Sequence, residues 1–225
     1  MFDRLELLIG KDNLEKIKTK SVLVVGCGGV GGSAVLSLVR SGIHNITIVD
    51  FDTVNESNLN RQEVAYISTL GKYKVDAMKD IILDINRDVK VNNLNMYLDE
   101  SNIKELFDSN NFDYVIDACD SVKTKEALIV ECVNRDINLI TCCGTGFRMH
   151  PEMLRIMPLS KTENDPLARI LRKFVKDNHI NKKLMVLCSL ENPVGKGTTI
   201  ASNSFVPPSA GYLLTSYVIN DIINK

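Results

Sequence analysis

The chain has 225 residues, 44% hydrophobic and 24% charged, with 27 Lys and Arg against 28 Asp and Glu for a net charge of −1. That composition belongs to an ordinary globular chain; it excludes collagen-like, coiled-coil and disordered classes, and no global basic excess points to nucleic acid. No apolar run reaches the roughly 18 residues that a membrane-spanning helix needs, and the charged start MFDRLELL lacks the apolar core of a signal peptide.

In chain order, the first strand is expected at 21–25 (SVLVV), followed by a glycine loop and a helix at about 32–41. A second strand at 46–50 (ITIVD) leads through a polar loop to a helix over 71–86, where Val75, Met78, Ile81, Ile82 and Ile85 share one face. A strand at 89–97, a helix at 101–109, a strand at 114–118, a helix at 121–134 and a strand at 137–141 continue the alternation. Short, β-branched, nearly charge-free runs are strands buried on both faces, as in a parallel sheet. Alternating β and α segments therefore predict an α/β, Rossmann-like, doubly wound and mostly parallel sheet with helices on both faces. After about 146 the rhythm changes to a turn-rich stretch, a helix at 165–178, short strands near 184–188 and 203–206, and a last helix at 209–223. This reads as a C-terminal α/β elaboration (146–225) on a nucleotide-binding core (1–145) within one domain.

Gly26-Cys27-Gly28-Gly29-Val30-Gly31 fits G-x-G-x-x-G between a strand and a helix. The glycines allow close approach of backbone to phosphate, and the helix N-terminus supplies N–H donors and a positive dipole. Asp50, at the end of the second strand, is placed to accept hydrogen bonds from ribose hydroxyls. The loop after it carries Asp52, Asn58 and Arg61, and Lys74 follows in Gly71-Lys72-Tyr73-Lys74. Two cations beside a phosphate loop suit a triphosphate and a departing pyrophosphate. A hydride-transfer enzyme would run from the ribose acid straight into a helix, so an NAD-dependent oxidoreductase is disfavoured, as is a nucleotide-sensing module without turnover. Asp117-Ala118-Cys119-Asp120-Ser121 ends the next buried strand, and Asp120 there is a candidate Mg²⁺ ligand.

The six cysteines (27, 119, 132, 142, 143 and 188) contain no C-x-x-C pair, which excludes a zinc knuckle and a thioredoxin-type couple and suits reduced thiols in the cytoplasm. Cys188 ends an apolar run and reads first as a buried strand residue, second as a catalytic thiol. His44, His150 and His179 are single residues without ligand spacing. Residues 160–183 hold seven cations against three anions. Arg169, Arg172, Lys173 and Lys176 fall on roughly one helical face, able to hold an RNA backbone through its phosphates.

The constellation GCGGVGG, D-F-D-T-V, S-N-L-N-R-Q, G-K-Y-K and D-A-C-D-S resembles the ubiquitin-activating-enzyme-like superfamily that includes the MoeB and ThiF adenylyltransferases. The resemblance implies that ATP and Mg²⁺ are bound and a carboxylate is adenylated. Gly26, Gly28, Gly29, Gly31, Asp50, Asp52, Asn58, Arg61, Lys74, Asp120 and Ser121 then form the ATP site. Arg61, Lys74 and Asp120 serve the adenylation step, Asp120 as metal ligand. Arg4 matches an N-terminal arginine that reaches the partner subunit's nucleotide, which implies a homodimer. The zinc cysteines usual in MoeB- and ThiF-type enzymes are absent. Leu159-Ser160-Lys161-Thr162-Glu163-Asn164-Asp165-Pro166-Leu167-Ala168-Arg169 and Cys188-Ser189-Leu190-Glu191-Asn192-Pro193 instead resemble the tRNA threonylcarbamoyladenosine dehydratase branch, in which the threonyl carboxylate of a modified tRNA is adenylated and cyclised with loss of water. Gly32, where the family usually has Ser, and Phe147-Arg148-Met149-His150, in place of a more glycine-rich stretch, are departures. The second reading is an adenylyltransferase for the diglycine C-terminus of a sulfur-carrier or ubiquitin-like protein. The branch leaves room for a sulfur-transfer partner such as a cysteine desulfurase, and the apolar last helix for peripheral membrane contact.

Overall fold

A seven-stranded sheet in the order β3-β2-β1-β4-β5-β7-β6 carries the fold. The computed structural model describes residues 1–195, 197 and 200–225. The strands are β1 (Ser21–Val25), β2 (Asn45–Asp50), β3 (Lys90–Asn95), β4 (Tyr114–Asp117), β5 (Asn138–Cys142), β6 (Leu154–Pro158) and β7 (Met185–Ser189). All run parallel except β6, which pairs antiparallel with β7 at the edge. The helices are α1 (Asp3–Ile9), α2 (Lys11–Thr19), α3 (Gly29–Arg40), α4 (Lys74–Ile85), α5 (Ile103–Asp108), α6 (Val122–Asn134), α7 (Pro166–Asp177) and α8 (Val206–Asn224).

The two-sided burial expected of the apolar strands is visible in β1. Val22 and Val24 enter a core built with α3, α4 and α8, whereas Leu23 and Val25 enter a second core with α5 and α6. A third cluster packs α7 and Ile129 of α6 against β7. Strand order reverses beside β1, whose two neighbours are β2 and β4. The crevice outside the carboxyl ends of β1 and β4 is therefore the switch point where such sheets bind ligands.

Four features depart from the sequence expectation. The helices α1 and α2 precede the sheet; α1 buries none of its residues, so it had no apolar periodicity to show. Strand β6 lies in the stretch expected to be turns, half-buried at the sheet edge and ending in Pro158. No strand forms at 203–206. There the Asn203 Oδ1 accepts from the N–H groups of Phe205 and Val206, and α8 starts at Val206 with Pro207 and Pro208 in its first turn. Two residues without an N–H cannot serve a sheet ladder but suit a helix start. The apolar side of α8 is spent on α3 and the sheet rather than offered to a membrane. Gly211 makes the crossing with α3 possible, since a Cβ there would lie 2.3 Å from the Val30 carbonyl oxygen. The far end of α8 is anchored by Tyr114, whose hydroxyl donates to Asp221 at 2.6 Å, and by the Lys225–Asp221 ion pair at 2.7 Å. Among the described residues no helix is long and apolar enough to cross a membrane.

Candidate nucleotide and acceptor site

The crevice is built first from backbone. Gly26 has φ +94°, in the left-handed region, and a Cβ there would sit 2.8 Å from the Ala118 carbonyl oxygen on β4's side of the crevice. At Gly31 a Cβ would fall 1.8 Å from the Gly26 carbonyl oxygen, so only glycine lets α3 start this close to β1. Gly28 is the N-cap of α3, where a Cβ would meet only the Gln62 Nε2, at 3.9 Å, and no side chain caps the helix. Uncapped N–H groups and a positive helix end are what a phosphate requires. Gly29 packs under Arg61 and Pro207.

Asp50 closes this loop. Its Oδ2 accepts from the Cys27 N–H at 2.6 Å and its Oδ1 from the Asp52 N–H at 2.9 Å. Each oxygen keeps acceptor capacity for a ribose hydroxyl. Burial pushes the Asp50 carboxyl above the ordinary aspartate range, while Lys74 and the two N–H groups hold part of that shift back. Lys74 is buried and pairs with the more exposed Asp52 at 2.7 Å. Pairing of the 52–54 and 72–74 segments sets this geometry, through the Lys74 N–H to Asp52 carbonyl bond at 2.9 Å and the Val54 N–H to Lys72 carbonyl bond at 2.8 Å.

Asn58 is buried in a short 3-10 turn and accepts from the Asn55 N–H. Its own carbonyl receives the N–H groups of Arg61 and Gln62. That turn aims Arg61 back at the glycine loop, its guanidinium braced by the Ser57 carbonyl and the Asn60 Oδ1, each at 2.8 Å. Partial burial lowers the Arg61 pKa. Across the crevice, Asp120 is exposed and makes no hydrogen bond or ion pair among the described residues. Ser121 caps α6 by accepting from the Thr124 N–H, and its hydroxyl also meets the Tyr97 hydroxyl at 2.8 Å. Tyr97 in turn stacks edge-on with the exposed Phe51 at 5.1 Å, which gives the crevice an apolar flank beside Asp50.

The structure thus brings together the glycines, Asp50, Asp52, Asn58, Arg61, Lys74, Asp120 and Ser121. It does not bring Arg4 among them. Arg4 is exposed on α1, beside Leu7 and Leu8, which are 88% and 81% exposed. On α7, Arg169, Lys173 and Lys176 form the exposed cationic face. Arg172 differs from expectation: it turns inward and donates to the Thr162 carbonyl at 2.7 Å and to the Thr162 hydroxyl. Cys188 is 1% exposed, and burial with the nearby Asp165 raises its pKa, so no ready thiolate is present.

Two buried features were not anticipated. Asp117, at the end of β4, pairs with Lys125 of α6 at 3.0 Å with both side chains fully out of solvent. Lys125 also donates to the Cys142 carbonyl at 2.8 Å. Burial alone would lower the Lys125 pKa; the Asp117 charge overcomes it and the net shift is upward. Beyond it, Asp165 caps α7 through the Ala168 N–H and also accepts from the Gly144 N–H, tying the Asp-Pro-Leu-Ala segment to the end of β5. Neither feature has a spacing signal, because each appears only once its elements pack: Asp117 and Lys125 lie eight residues apart on β4 and α6, and Asp165 and Gly144 lie 21 apart.

The ThiF family model matches residues 2–209. The chain belongs to the ThiF family. This ThiF chain is 38% identical to the tRNA threonylcarbamoyladenosine dehydratase of Bacillus subtilis, over 99% of its own length and 94% of that relative's. It is 33% identical to the molybdopterin-synthase adenylyltransferase of Haemophilus influenzae, over 74% of its own length and 66% of that protein's. Its fold superposes on the crystal structure of Escherichia coli tRNA N6-threonylcarbamoyladenosine dehydratase, TcdA, in complex with ATP, with a TM-score of 0.94, 31% identity and coverage of 99% and 93% of the two chains.

Proposed function

We propose that this ThiF-family chain is an ATP-dependent tRNA threonylcarbamoyladenosine dehydratase. The observation that carries the reading is the 38% identity to such an enzyme over 99% of the chain, joined by the TM-score of 0.94 with a solved one, again over 99% of the chain. The chain is taken as one ATP-binding unit, with a core over 1–145 and an acceptor and dimer elaboration over 146–225.

In this reading the loop from Gly26 to Gly31 cradles the phosphates of ATP and Asp50 holds the ribose. Arg61 and Lys74 bind phosphate oxygens and stabilise the charge that develops on leaving pyrophosphate. The threonyl carboxylate of the modified adenosine attacks the α-phosphorus and pyrophosphate departs. A nucleophile of the same modified nucleoside then closes the ring on the acyl-adenylate and expels AMP, so the tRNA loses one water in net. The second step is intramolecular, and the enzyme's contribution there is positioning. No cysteine nucleophile is needed, in keeping with the buried state of Cys188.

Asp120 fits a Mg²⁺ ion: it is an exposed carboxylate without a partner among the described residues, at the mouth of a phosphate cradle, and Mg²⁺ is held by one or two carboxylates plus phosphate oxygens. When bound there, the ion would neutralise phosphate charge. The cationic face of α7 is assigned to the tRNA backbone. The exposed Leu7 and Leu8 beside Arg4 support a homodimer in which α1 crosses to the partner's site. The cytoplasm is the expected compartment, given free thiols throughout.

The test is pyrophosphate release from ATP and Mg²⁺ with threonylcarbamoyl-modified or unmodified tRNA, followed by mass spectrometry of the nucleoside. Turnover with the modified tRNA alone, and a product lighter by one water, is expected. Turnover with a diglycine-ended carrier protein and none with modified tRNA would overturn the reading in favour of carrier adenylylation.

A further inference from the structure

The block beyond the crevice holds an arginine that the mechanism does not use. Arg148 is 3% exposed, and its Nε and Nη1 are buried without a hydrogen-bond partner among the described residues. A guanidinium taken out of water without partners is costly, so a fold keeps one only where something else supplies them. Its own block does not. The buried carboxylates there are already committed: Asp165 to the N–H groups of Gly144 and Ala168, and Glu191 to those of Met149 and His150. Among the described residues no carboxylate reaches ion-pair distance of Arg148.

The backbone around it is firmly held. Phe147 has φ +56°, a strained position for a residue with a side chain. Its N–H donates to the Ala201 carbonyl and its carbonyl accepts from Val194, while Asn203 donates to the Arg148 carbonyl. That Asn203 segment leads back to the nucleotide: Asn60, whose Oδ1 braces Arg61, donates to the Ser202 carbonyl at 3.1 Å. Arg148 is therefore fixed in a loop at the carboxyl end of β5, one strand beyond β4 and tied to the Arg61 turn.

We infer that Arg148 binds the acceptor, its unpartnered N–H groups taking up the threonyl carboxylate of the modified adenosine and presenting it to the nucleotide. This rests on the dehydratase reading. A planar fork of donors matches a carboxylate and holds one oxygen while the other reacts. An aliphatic carboxylate also suits a nearly dry site better than a doubly charged, strongly hydrated phosphate.

The full chain serves for the test. Thermal unfolding of the wild type, Arg148→Met and Arg148→Lys is followed with N-carbamoyl-L-threonine, its methyl ester or inorganic phosphate at millimolar concentration. The free acid should stabilise the wild type and the ester and phosphate should not; the effect should vanish in Arg148→Met and return in part in Arg148→Lys. Without ligand, Arg148→Met should unfold no earlier than the wild type, since it loses an unpartnered buried charge. In turnover its KM for ATP should hold, while kcat/KM for modified tRNA falls on the order of 30- to 100-fold, the loss of a charge-assisted hydrogen bond. Protection by ester or phosphate equal to that by the acid, protection retained in Arg148→Met, or wild-type kcat/KM in that variant would each overturn the inference. If Arg148→Met fails to fold, the wild-type contrast of acid with ester and the Arg148→Lys kinetics decide. A wild type inert toward modified tRNA would sink the dehydratase reading, whereas the acid–ester contrast addresses Arg148 alone.

Discussion

Replacing Lys125 by methionine should be among the most damaging changes outside the crevice. Its ammonium lies 3.0 Å from Asp117 and 2.8 Å from the Cys142 carbonyl, with no solvent access to either side chain of the pair. Methionine fills much of the lysine stem, so the cavity term is small. The loss falls on Asp117, whose Oδ2 has no partner even in the intact protein. Among the described residues, the N–H and thiol of Cys119, at 3.3 and 3.1 Å, would then be left to support a buried carboxylate. Breaking a buried pair in this way costs about 3–5 kcal/mol. For a chain of this size a kilocalorie moves the melting point by roughly 2–4 °C, so Lys125→Met should melt about 6–20 °C lower. The double variant Asp117→Leu with Lys125→Met removes both charges and should recover most of the loss. Thermal and urea unfolding of the two singles and the double at neutral pH give the coupling directly. Lys125 has a raised folded pKa, so its contribution is complete below the unfolded lysine value of about 10.4 and fades only as pH rises through the folded value. The costs should thus match at pH 7 and 9. A Lys125→Met variant within about 1 kcal/mol of wild type, or a double as unstable as the sum of the singles, would refute the reasoning.

Gly211→Ala drives a Cβ to within 2.3 Å of the Val30 carbonyl and 2.8 Å of the Ala34 nitrogen, and should cost about 2–4 kcal/mol by chemical unfolding. Gly32→Ala meets only the mobile Met78 methyl at 3.3 Å among its close contacts and should be neutral or up to about 1 kcal/mol stabilising by the same measurement. Asp120→Ala should keep the melting point yet lose pyrophosphate release; wild-type turnover would remove the metal assignment. Because the folded Asp50 pKa is raised, that group favours the fold when protonated, an advantage lost as pH rises through the folded value; its ionised form is held for ligand at a cost. ATP affinity should accordingly weaken, as pH falls, at values above the ordinary aspartate range near 3.9, and Asp50→Asn should flatten that titration. Reversing Arg169, Lys173 and Lys176 together should weaken tRNA binding and shrink the slope of log K against log salt by about 2–3, read by filter binding; an unchanged slope would exclude α7 as the tRNA face.

Much of the nucleotide half was legible because its signals are local. The glycine loop, Asp50 and the turn carrying Asn58 and Arg61 each follow a strand end within a few residues, and β-branched runs marked the parallel strands. What stayed hidden depends on how elements pack against one another, even where they are near in sequence. Helical spacing placed Arg172 with its exposed neighbours, and Thr162, ten residues away, turns it inward through its carbonyl and hydroxyl. Asp117 stood in a motif already singled out, yet its pairing with Lys125, eight residues on, appears only when α6 packs on β4. Residues 203–206 have strand-like composition, but Pro207, Pro208 and the Asn203 cap convert their end into a helix start. Strand β6 escaped because an edge strand buried only in part shows little alternation.

The crossing of α8 over α3 also bears on when this protein becomes competent during its synthesis. The glycine loop and α3 emerge well before the surface that seats them, Pro207 against Gly29 and Gly211 against Val30, which comes with α8. A nascent chain stopped before α8 exposes the apolar side of α3, with Ala34 and Leu38, to water and leaves the phosphate cradle without its backing. Long-range closure of this kind is slow and comes late in folding. Nucleotide binding should therefore switch on only once α8 has been made, so that a chain stopped before it cannot sequester ATP.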